Sequence, residues 1–131
     1  MFDLEIGEEA KAAQEFVPEH PNPKIGKSHG VSLFLHGRHS PQYRDAIAST
    51  MRRQKKKGEL SLEETIAESA KFISKCCDDY KGAKDKDGKP KKFDRKELAE
   101  TLASEDYRWM RIACEQFMAE DDNFFSTLEM K

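Results

Sequence analysis

The sequence predicts a mainly α-helical protein, with four or five helices packed together behind a short N-terminal β-ribbon. Three observations carry that expectation. From Ser40 onward helix-start signals recur, at Ser40-Pro41, Ser61-Leu62-Glu63-Glu64 and Asp94-Arg95-Lys96-Glu97. Apolar residues behind them return at spacings of three and four. Before residue 40 the pattern changes to brief apolar–polar alternation interrupted by proline and glycine. The 131 residues fit one domain of the usual ~100–200, with 1–39 as ribbon and loop and 40–131 as the helical part.

Taken in order, Phe2-Asp3-Leu4-Glu5-Ile6 alternates apolar and acidic residues, and Val31-Ser32-Leu33 leads into Phe34-Leu35 the same way. Each predicts a short strand. Between them His20-Pro21-Asn22-Pro23-Lys24-Ile25-Gly26-Lys27 is turn-rich: proline forbids helix and glycine permits tight bends. Such a ribbon is marginal alone and must lie against the helices or another chain. The first long helix is predicted from Ser40-Pro41 to Lys57, stopping at Gly58. The second starts at the Ser61/Glu64 capping box and carries Leu62, Ile66, Ala70, Ile73, Cys77 and Tyr80, about five turns. Gly82 to Lys92 is a polar connector turning at Asp87-Gly88. Asp94 opens the third helix, with Phe93 placed to staple onto Leu98. Ser104 or Asp106 caps a fourth, which bears Tyr107, Trp109, Met110, Ala113, Cys114, Phe117 and Met118 on more than one stripe. That helix is either central or also touches a partner.

Apolar and charged residues each make up 37 % of the chain, so a modest core lies beneath a heavily charged surface. Helices tolerate that better than paired strands. The net charge of −2 does not favour a protein that coats nucleic acid. The charge is segregated: residues 1–23 carry a balance of −5, residues 51–57 one of +5 and residues 115–131 one of −4. Arg52, Arg53, Lys55, Lys56 and Lys57 suit either a solvated helix end or an acidic partner. No aromatic stacking residues are interleaved with them, which disfavours RNA or DNA.

The chemistry-bearing residues do not assemble into a catalytic or metal pattern. Of the four histidines only His36 and His39 are close, and they are expected to face solvent without a metal. Cys76, Cys77 and Cys114 are an odd number with two adjacent. That is a poor disulfide framework and points to a reducing compartment, with cytoplasm as the expected location. On a helix the adjacent pair would point about 100° apart, so one is expected in the core and one outside it. Asp85-Lys86-Asp87-Gly88 fails as a calcium loop, because its glycine comes too early. No run is long enough to span a membrane, and the acidic start is no signal peptide. No cofactor is expected.

The order of the signals carries a resemblance. Leu35-His36-Gly37-Arg38-His39-Ser40-Pro41-Gln42-Tyr43-Arg44 resembles the Gly-Arg-Asp-Ser-Pro-x-Tyr stretch of tail assembly chaperones from long-tailed bacteriophages and prophages. The likeness continues through the basic first helix, Leu60-Ser61-Leu62-Glu63, Asp79-Tyr80-Lys81-Gly82, the Asp87–Pro90 turn with Phe93, and Asp121-Asp122-Asn123-Phe124-Phe125. It departs at His39, where the family often has aspartate, and at Tyr80, where it often has tryptophan. The resemblance implies a non-enzymatic helper of virion assembly in the host cytoplasm, absent from the mature virion. It would bind the tape measure protein and help recruit tail tube subunits, the latter through a frameshifted longer form of which this chain would be the shorter version. A homo-oligomer is compatible with it. The expected partner-binding residues are Trp109, Ile112 and Phe117, with Arg52, Arg53 and Lys55 as an electrostatic guide. A nucleic-acid-binding regulator using the basic helix at 51–57 is the alternative, and a carboxylate enzyme ranks last because no acid pair sits in an apolar context.

Overall fold

Leu33 and Leu35 alternate toward one face of the strand β2 (Ser32–Leu35) and are almost completely buried. The computed structural model, which describes residues 8–125, builds a three-stranded antiparallel sheet around that strand. β1 (Gln14–Phe16) pairs on one side, with Phe16 opposite Leu33 and Gln14 opposite Leu35. β3 (Cys77–Lys81) pairs on the other, with Tyr80 opposite Leu33 and Cys77 opposite Leu35. A four-residue helix, α1 (Glu8–Lys11), precedes β1 and packs on the 3₁₀ turn Asp121–Phe124. The strand expected at Phe2–Ile6 lies outside the described residues.

Among the described residues four longer helices follow β2: α2 (Pro41–Lys57), α3 (Leu62–Lys75), α4 (Arg95–Ala103) and α5 (Arg108–Ala119). The predicted starts hold for the first three. Ser40 Oγ accepts from Tyr43 N at 3.1 Å and donates to Gly37 O at 2.8 Å, so the α2 cap also ties down the turn before it. Ser61 and Glu64 form the reciprocal capping box. Asp94 accepts from Glu97 N at 3.1 Å. At α5 neither Ser104 nor Asp106 caps. Ser104 instead donates back to Thr101 O, and a 3₁₀ turn, Glu105–Tyr107, leads into the helix without a side-chain cap.

The second helix is shorter than its periodicity predicts. It ends at Lys75, and Cys77 and Tyr80 belong to β3. The reason is a bulge. The pairing shifts between Phe34, opposite Asp79, and Leu35, opposite Cys77, which leaves Asp78 as an extra residue. The bulge resets the strand's alternation, so two positions three apart face the core and imitate helical spacing. The same break buries both adjacent cysteines, since Cys76 ends the helix and Cys77 begins the strand.

α3 and α4 lie against each other, and α5 packs on both. Arg95 at the start of α4 donates to Ser74 O and Cys77 O, satisfying carbonyls left open where α3 ends. Tyr80 donates to Lys92 O and accepts from Asp94 N, anchoring the connector to the sheet. The core comprises Leu33, Leu35, Ala70, Ile73, Leu98, Leu102, Met110, Cys114, Met118 and their neighbours. No helix among the described residues is long and apolar enough to cross a membrane.

Candidate functional site

The aromatic residues of α5 turn toward the N-terminal segment. Phe117 stacks on Phe16 of β1, with ring centroids 4.3 Å apart and planes 19° from parallel, and meets Phe124 edge-on at 5.4 Å. Trp109 is half-buried against the turn-rich loop, its ring 4.7 Å from His20 and 5.7 Å from His29. The two rings therefore hold β1 and the loop at 20–29 onto α5. Ile112, on the same helix, is exposed.

The basic residues of α2 divide. Arg53 donates from Nε to both carboxylate oxygens of Glu68 on α3, 2.7 Å each. Lys57 reaches Glu64, whose carboxyl is held down at about 2 mainly by that partner. Arg52 and Lys55 are exposed, and Arg52 only touches Ser49. On α3, burial pushes the Lys75 ammonium below its ordinary range, with further repulsion from Arg53 and Arg52. The cationic surface thus runs from α2 onto α3.

Beside it lies a feature that the sequence reading missed. α2 buries only Ala46 among its 17 residues. Ile47 and Met51, one turn apart, remain 39 % and 62 % exposed, and Leu62 at the start of α3 is 75 % exposed. Between α2, α3 and α5 a cavity of about 330 Å³ opens, lined by Tyr43, Leu60, Phe72 and Met118 with Thr50 and Gln54 on its α2 wall. Thr50 Oγ1 is buried there without a hydrogen-bond partner among the described residues. Its two carboxylates are engaged, Glu68 by Arg53 and Glu115 by Ser69. The sequence did carry a signal: Tyr43, Ala46, Ile47, Thr50 and Met51 repeat at helical spacing, an apolar stripe hidden by the basic run that follows.

The segments around Gly37-Arg38-His39 and Asp121–Phe124 meet in space. Arg38 makes a two-pronged hydrogen bond to Asp121, at 2.8 and 2.7 Å, and His39 Nε2 is 3.3 Å from the same carboxylate. Gly37 lies directly under the Phe124 ring, where a β-carbon would come within 2.6 Å of it. His36, expected at the surface, is 4 % exposed. Its Nδ1 is 2.8 Å from Lys11 O, and its Nε2 faces Asp78 at 2.9 Å, an ion-pair distance without hydrogen-bond alignment.

The described residues contain no cluster of three or more His, Cys, Asp or Glu side chains able to hold a metal ion. Cys76 and Cys77 are pushed up to about 12 by burial, and burial raises Cys114 as well, so none is an activated nucleophile. Comparison with protein-family models, curated proteins and solved structures finds no match.

Proposed function

We propose that this protein is a non-enzymatic tail assembly chaperone that binds helical segments of a phage tape measure protein and helps recruit tail tube subunits around it. The observation that carries the reading is the α2 groove. A long helix that leaves Ile47 and Met51 exposed, and lines a cavity with its Tyr43, Thr50 and Gln54, presents the kind of surface into which an amphipathic helix lays its apolar face. Arg52 and Lys55 sit on the same helix and would steer acidic flanks of the partner. Ile112 extends the exposed apolar surface on α5, while Trp109 and Phe117 keep that helix and the N-terminal segment in place. The resemblance supplies the partner's identity, and the meeting of its first and last motifs gives those residues a joint structural reason.

The test is co-expression with the tape measure protein of the same phage. The chaperone should raise the soluble fraction and co-elute with it, and Ile47→Glu with Met51→Glu should abolish co-elution while leaving the melting temperature nearly unchanged. An equally insoluble tape measure protein with and without the chain, and no complex, would refute the proposal.

A further inference from the structure

The connector 82–92, read from sequence as a polar turn, folds into a lysine-studded hairpin. Lys84 bridges to Pro90, Lys91 N donates to Ala83 O, and Asp85 N donates to Lys89 O. Asp85 closes the tip by accepting from Asp87 N and Lys89 N, so its carboxylate serves the turn. Lys81, Lys84, Lys86, Lys89, Lys91 and Lys92 fall within twelve residues. Of these, Lys91 pairs with Glu97 and Lys81 lies over the Phe34 ring. Lys84, Lys86, Lys89 and Lys92 are exposed and form no ion pair among the described residues.

Behind the hairpin is a second cavity, about 380 Å³, at the small end of the range that accepts ligands or anchoring side chains. Its floor is aliphatic, made by Val31, Leu33, Leu98 and Met110, with exposed Tyr107 as one wall. Lys84, Lys91 and Glu97 also line it, and the Glu97 carboxylate is taken up by Lys91 at 2.7 Å. An aliphatic pocket beside Lys84, with the exposed Lys86 and Lys89 further along the same hairpin, is complementary to one kind of partner. We propose that the hairpin and this cavity form a docking site for an acidic protein segment carrying a bulky apolar side chain. The side chain fills the pocket and the neighbouring carboxylates meet Lys84, Lys86 and Lys89.

Nucleic acid fits less well. A base inserted among Leu33, Leu98 and Met110 would bury its polar edges without partners, and a long polyanion would run on from the hairpin onto a chain of net negative charge. A short acidic segment stays within about a Debye length, ~8–10 Å, of the lysines that hold it. The site uses no residue of α2 and is independent of the groove described above.

The experiment uses fluorescein-labelled peptides and fluorescence anisotropy. Glu-Asp-Glu-Phe-Glu-Asp-Glu should bind about tenfold or more tightly than the same peptide with alanine for phenylalanine, as expected for a buried anchor. Lys84→Glu, Lys86→Glu and Lys89→Glu together, all on the exposed hairpin, should weaken binding about tenfold or more and flatten its salt dependence. Tyr107→Ala should remove the preference for phenylalanine while keeping the salt dependence. Equal affinity for the two peptides would overturn the pocket's role. Tighter binding of a labelled thymidine oligonucleotide than of the peptide would replace the acidic segment with nucleic acid. No binding of either peptide would end the proposal, whatever the outcome with the tape measure protein.

Discussion

The junction where β2, the α3–β3 turn and α5 meet contrasts sharply with α2. At the junction Leu33, Leu35, Cys76, Cys77 and Cys114 are essentially inaccessible, and backbone groups are cross-tied by Arg95 and Tyr80. α2 is the longest helix among the described residues, yet it contributes one fully buried side chain. It is held by its cap, by the Arg53–Glu68 pair and by Tyr43, whose ring meets Phe72 of α3 edge-on at 4.8 Å. A well-buried frame carrying a helix with part of its apolar stripe left exposed suits a holder of other helices, because a stripe wholly spent on the core has nothing left to offer a partner.

The largest effect is expected at the frame's tightest point. Gly82 has φ +83°, and a β-carbon there would come within 2.0 Å of Gly30 O, which is backbone and cannot step aside. Gly82→Ala should cost at least about 3 kcal/mol, combining a left-handed residue with a backbone clash, and urea midpoints would measure it. A midpoint within error of wild type would show that the two loops are not in contact.

Next comes the direct comparison. Leu102→Ala, in the frame, should lose about 2–5 kcal/mol, whereas Met51→Ala, on α2, should stay within about 0.5 kcal/mol. Thermal melts of the two variants should therefore separate by roughly 5 °C or more for a chain of this length. Similar losses at the two sites would mean that α2 is packed as the frame is.

How much of this was legible beforehand follows the same division. Caps are local chemistry, so Ser40, Ser61 and Asp94 announced their helices, and Gly58 its stop. β3 was not legible, because a bulge is a property of two paired strands and Cys77 and Tyr80 alone show only their spacing. The short β1 reads as nothing until Phe117 supplies a ring for Phe16. At the candidate site, the cations on α2 were visible from composition. Which apolar residues stay outside depends on how closely α2 approaches α3 and α5, and that is tertiary information.

Thiol chemistry sharpens the contrast further. With Cys76 and Cys77 near 12 and Cys114 raised by burial, folded protein at pH 8 should react with a disulfide reagent only as fast as it opens. All three should titrate promptly in denaturant. Fast labelling of any one in native buffer would expose a loose spot in the frame.

The smallest effect is electrostatic. Asp121 is held at about 2, chiefly by its hydrogen bonds from Arg38. A depressed carboxyl contributes stability above its unfolded value near pH 4, and loses it as pH falls through about 2. Asp121→Asn should lower the melting temperature slightly at neutral pH, and the two proteins should converge below pH 2. Glu64, lowered by Lys57, titrates in the same window and keeps some slope in the variant. Parallel curves across that range would show that Arg38 does not grip Asp121 in solution.

The clasp between Gly37-Arg38 and Asp121–Phe124 also bears on the order of folding. Arg38 and Asp121 are 83 positions apart, and Phe16 waits for Phe117 in the same way. On a growing chain β1 and β2 have no completed surface to rest on until α5 and the Asp121–Phe124 turn have left the ribosome. Until then these apolar strands are unclaimed, and this protein passes through the same exposed condition from which we propose it protects another.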